Sequence, residues 1–177
     1  MALFTDRSIW TMLHGIALGG GAMMTLFGAL VLVVAFRPGR TWGDLAGPAR
    51  ALGALSVTSA AMLWLTVLAG TYIVFPPYRA TPPEGTTILT DFPRSLIQSD
   101  PSTAWLHSFA MESKEHIPWI AAILATAMAF VVTRYRGRLW NDAGVRNTTM
   151  AGLAICLALV ACMALLGVFV NKVAPLQ

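Results

Sequence analysis

The sequence predicts an all-α integral membrane protein: a bundle of four spanning helices with a proline-rich outer loop between the second and third. Three observations carry this. Of the 177 residues, 56% are hydrophobic and only 11% charged, against about a quarter charged in an ordinary soluble domain. Mean hydropathy is +0.67. Four long runs, 8–36, 51–78, 117–133 and 147–171, contain no Asp, Glu, Lys or Arg, and a helix crosses the hydrocarbon core in about 20 residues. The same composition excludes a disordered chain and a nucleic-acid binder, so the pI of about 9.6 reports topology rather than an acidic partner.

The first span, 8–36, holds no ionisable group except His14. Its apolar run is roughly twice the core of a cleaved signal, and its lead carries one acid and one base, Asp6 and Arg7, so it is read as a helix that stays. The second span covers 51–75. The outer loop, 76–104, contains Pro76, Pro77, Pro82, Pro83, Pro93 and Pro101, and fixed φ angles favour a rigid cap over a floppy linker. The third span is minimal if confined to its charge-free part, so it is drawn over 104–134. Asp100-Pro101 reads as an N-cap and first-turn proline that would start this helix early; alternatively, 104–115 lies along the interface and the chain bends at Pro118. The fourth span is 147–171. The whole chain forms one transmembrane domain.

Orientation follows from Lys and Arg. One side has Arg37, Arg40, Arg50, Arg134, Arg136, Arg138 and Arg146 against Asp44 and Asp142. The other has Arg7, Arg79, Arg94, Lys114 and Lys172 against Asp6, Glu84, Asp91, Asp100, Glu112 and Glu115. The first side is expected to face the cytoplasm, which leaves both termini and the long loop outside, as in a bacterial inner-membrane protein.

All three histidines, His14, His107 and His116, fall toward the outer side. Imidazoles near the starts of the first and third helices lie at similar depth, which suits a b-type heme held by one axial ligand from each helix. His14 supplies one ligand, and depth favours His116 over His107 as the other. Gly21, seven residues past His14, thins the same face, and Arg79, Arg94 and Lys114 are candidates for the propionates. His107 and His116 are about 180° apart on a straight helix, so only one of them points at the first helix. The same three histidines are the candidate metal ligands. With Glu112 they could instead hold a bare ion, although the paired Glu-x-x-His elements of di-iron bundles are missing.

Glu112, Lys114 and Glu115 form the densest ionisable cluster, and charged groups at the edge of a span are costly unless solvated, paired or liganded. They are the candidate catalytic residues of a quinol or proton site, in which Glu112 or Glu115 accepts a proton. Tyr72 and Tyr78 are hydrogen-bonding candidates for a quinone or a propionate. Cys156 and Cys162 are about 240° apart on one helix and cannot bridge. Neither lies in a CxxC pattern, so no covalent heme or iron–sulfur cluster is expected. The sequence therefore predicts a heme b electron-transfer subunit working between quinone and a periplasmic or partner-protein redox centre. It would sit in lipid beside other redox subunits or a second copy. The competing readings are a non-heme accessory subunit of a respiratory or transport complex, and a membrane enzyme with a His/Glu metal site.

Overall fold

The structure, a computed structural model, describes residues 5–34, 36 and 42–175. Arg37 and Arg40, assigned above to an inner loop, lie outside the described residues, as does the side chain of Asp44. Every element among the described residues is helical. Four helices are long and apolar enough to cross a membrane: α1 (Asp6–Val34), α2 (Ala46–Arg79), α4 (Leu106–Arg138) and α5 (Ala143–Val173). The short helix α3 (Pro93–Gln98) lies in the connection between α2 and α4. The protein is a four-helix membrane bundle.

Local chemistry sets the helix ends. Thr5 caps α1 by accepting from the Ser8 N–H at 3.2 Å. Asp142 caps α5 by accepting from the N–H groups of Gly144 at 2.9 Å and Val145 at 3.1 Å, satisfying two donors that have no partner within the helix. Helix α2 runs on through Pro76 and Pro77 to Arg79, so the loop begins later than the prolines suggested. A π-helical turn, Gly70–Val74, shifts the hydrogen-bond register just before them. The prolines then occupy the first turn of the following segment, where a missing N–H costs little. The Asp100 side chain accepts from the Ser102 N–H at 2.8 Å and its carbonyl from the N–H groups of Thr103 and Ala104, a capped turn that leads into α4, which begins well before its charge-free part. The Ser102 partners hold the Asp100 carboxyl below the usual carboxylate range. Helix α4 then continues through Pro118 without breaking into an interfacial piece.

The helices pack as a square. Helix α1 contacts α2 and α5, and α4 contacts the same two, so α1 and α4 occupy opposite corners. The interfaces are built from small residues: Ala22 and Ala29 of α1, Ala60 of α2, and Ala121, Ala122, Ala125 and Ala129 of α4 are all buried. Lipid tails give apolar side chains no reason to leave them, so close backbone approach and interhelical hydrogen bonds hold the bundle. Ser59 donates to Thr25 Oγ1 at 2.9 Å, Trp64 Nε1–H to Thr126 Oγ1 at 3.0 Å, and the Cys156 thiol to the Ala121 carbonyl at 3.3 Å. Large apolar side chains such as Met24, Phe27, Ile123 and Phe130 face outward, as a lipid-covered surface requires.

The connection between α2 and α4 is seated on the bundle. Gly85 turns it at φ +81°, a region that glycine enters without steric cost. Ile97 of α3 is fully buried among Tyr78, Leu106, Ala110, Met163 and Leu166. The Thr103 hydroxyl donates to the Ile97 carbonyl at 2.8 Å, tying α3 to the start of α4. The Asp91 carboxylate exerts its charge on Arg7 at the start of α1.

Candidate functional site

The polar chemistry gathers at the end of the bundle that carries this loop. Three stretches of rare π-helical turn converge there: Leu13–Gly20 in α1, Gly70–Val74 in α2 and Leu106–Met111 at the start of α4. Such turns rearrange the i→i−4 ladder at a local energetic cost and recur at functional sites. They carry His14, Gly70 and His107, respectively.

His14 points into the bundle. Its ring lies against the backbone of α2 at Gly70, where an added Cβ would stand 2.7 Å from Cε1. Only glycine leaves room for the imidazole there. Its Nδ1 is enclosed and has no hydrogen-bond partner, and the hydroxyl of Thr11, one turn earlier, is in the same condition. The ring is within hydrogen-bonding reach of the Thr66 backbone, so the orphaned atom is Nδ1 alone, and the imidazole feels the charge of Lys114. Lys114 reaches inward from the diagonal helix α4. Its ammonium donates to the Met163 carbonyl of α5 at 3.3 Å and rests on Gly167, where a Cβ would come within 2.8 Å of Nζ. A glycine on α2 thus seats the imidazole, and a glycine on α5 seats the ammonium. Neither Lys114 nor His14 has a carboxylate partner among the described residues.

A second group lies beside the first. The Tyr78 hydroxyl and His107 Nδ1 are hydrogen-bonded at 3.0 Å, which fixes the ring and leaves Nε2 free. Arg94, Glu115, Glu112 and Arg79 all exert their charge on the Tyr78 phenol. Arg79 also lies 5.3 Å over the ring of Phe75, and Arg94 Nε is enclosed without a partner. Loop, α2 and α4 therefore bring two arginines, two glutamates, a tyrosine and a histidine together.

The sequence-predicted residues are redistributed by this geometry. Lys114 separates from Glu112 and Glu115: the lysine turns toward α5, whereas the glutamates act on the Tyr78 side. His116 is exposed, and its Nδ1–H donates to the Glu112 carbonyl of its own helix at 2.7 Å. The bundle interior thus receives His14, and His107 is the half-buried histidine of α4. Gly21 also faces α2, but the Met62 thioether fills its notch, since a Cβ there would stand 2.6 Å from Met62 Cε. Among the described residues no three His, Cys, Asp or Glu side chains stand close enough together to hold a metal ion. The bare-ion set of His14, His107, His116 and Glu112 is therefore not assembled. Nothing in the sequence pattern marks Gly167, Thr11 or Thr66, save that Gly167 is a glycine in an uncharged span at the depth of an ionisable residue on a neighbouring helix.

Comparison with protein-family models, characterised proteins and solved structures finds no match.

Proposed function

We propose that this chain is a bacterial inner-membrane redox subunit, with both termini and the long loop outside. In this reading it holds a b-type heme in its outer half and passes electrons between quinone and a periplasmic or partner-protein redox centre. The observation that carries the proposal is His14: an inward-facing imidazole whose Nδ1 is enclosed, unpartnered and set on a π-helical turn inside a membrane bundle. An imidazole nitrogen enclosed in that way is either uncompensated or reserved for a ligand.

The residues present fit such a group in named roles. His14 would hold the iron from α1. His107 is favoured over His116 as the second ligand, because it is half-buried and its ring is fixed by Tyr78, as metal-binding imidazoles are commonly oriented by their second nitrogen. Arg79, Arg94 and Lys114 are the cations available to propionates, and the enclosed, unpartnered Arg94 Nε supports that role. When bound, the heme supplies a one-electron couple. Glu112 and Glu115, beside the Tyr78 phenol, are the proton acceptors for a quinol, and Tyr78 is its hydrogen-bonding residue.

Absorption spectroscopy of the detergent-purified chain tests this. A Soret band and a reduced-minus-oxidised α band are expected, with loss of both in His14→Ala. Loss in His107→Ala with retention in His116→Ala assigns the second ligand as above, and the reverse pattern returns that role to His116. A folded but colourless preparation overturns the heme reading and favours a non-heme accessory subunit.

A further inference from the structure

At the opposite end of the bundle, α2 and α4 part to leave a half-open groove of about 340 Å³. Gly53, Ala54 and Val57 of α2 and Val132 and Thr133 of α4 line it, with Arg50 and Arg136. Gly53 opens it: an added Cβ would meet only the Thr133 methyl, at 3.8 Å. The residues around it differ in how they are occupied. Arg134 and Arg138 lie over the Tyr135 ring at 5.9 and 5.6 Å. Arg146 donates to the Leu139 carbonyl at 3.3 Å. Asp142 is taken up by the N-terminus of α5. Arg50, whose Nε donates to the Ala46 carbonyl of its own helix at 3.4 Å, and Arg136 are exposed with no carboxylate partner among the described residues.

We propose that this groove binds one anionic phospholipid, its phosphate between Arg50 and Arg136 and an acyl chain along the small residues beneath. Depth and charge both select this occupant. The charge-free stretch of α2 begins just after Arg50, and that of α4 ends just before Arg134, so the guanidiniums stand at headgroup level and the apolar floor at acyl level. A guanidinium matches a phosphate in shape as well as charge, and basic pockets between spanning helices select anionic headgroups. The inference is independent of the heme proposal, since the two sites occupy opposite ends.

The test uses the full chain, stripped of lipid in detergent and offered equal phosphatidylglycerol and phosphatidylcholine, with retained lipid counted by native mass spectrometry. One phosphatidylglycerol per chain is expected, favoured by about thirtyfold, the scale that two basic side chains near a membrane surface provide. The Arg50→Gln/Arg136→Gln variant should lose that preference. Arg134→Gln/Arg138→Gln, which removes the same charge from the same end, should keep it. Gly53→Leu, which fills the floor, should lose the bound lipid. Equal retention of both lipids, equal loss in the two arginine pairs, or full retention in Gly53→Leu each overturns the proposal.

Discussion

Lys114 is the residue whose placement is most costly. An ammonium drawn into a membrane bundle without a carboxylate gives up hydration for one backbone carbonyl, Met163 at 3.3 Å, and such residues mark functional positions rather than sources of stability. Lys114→Met is therefore expected to raise the thermal midpoint of the purified chain, a gain on the order of 1–3 kcal/mol, while weakening whatever the site binds. A lysine kept for structure would give the opposite sign. Gly167→Ala addresses the same seat from α5: its Cβ would stand 2.8 Å from Nζ, so the flexible lysine must leave. Thermal unfolding should show part of the same gain, and in the double variant the Lys114→Met and Gly167→Ala gains should not add, because both empty one position. Additive effects would show that Gly167 and Lys114 act separately.

At the scale of elements, the spans were legible and their irregularities were not. Runs without charge located α1, α2 and α5 to within about five residues because a bilayer admits only long apolar helices, whereas α4 begins at Leu106, well before its charge-free run at 117–133. The π-helical turns at Leu13–Gly20, Gly70–Val74 and Leu106–Met111 left no such mark. They depend on backbone register, and register decides which face His107 and His116 present. Depth alone favoured His116, whereas orientation turns it outward onto the Glu112 carbonyl and brings His107 to Tyr78. Caps are local and can be tested locally. Asp142→Ala removes the acceptor for two N–H groups of α5 and should cost about 1 kcal/mol. Hydrogen exchange should report it as faster exchange confined to the first turn of α5. Uniform acceleration along α5 would mean that the cap instead holds the whole helix in place.

For the whole molecule, the two ends differ in what they present to their surroundings, and this difference ties orientation to function. The loop end has a folded cap, with Ile97 buried beneath it and the His14, Lys114 and Tyr78–His107 groups enclosed. The opposite end presents Arg50, Arg134, Arg136, Arg138 and Arg146 with short connections. Arginine-rich short connections are retained in the cytoplasm during insertion, which would put the cap and the enclosed polar groups outside. Single cysteines read this directly. In a Cys156→Ala/Cys162→Ser background, Glu84→Cys in the cap should react with a membrane-impermeant maleimide in intact cells. Gly137→Cys, in the Arg136–Arg138 turn where no atom crowds an added Cβ, should react only after the membrane is opened. The inverse pattern would move the His14 group to the cytoplasmic side, and a periplasmic electron acceptor would then be out of reach.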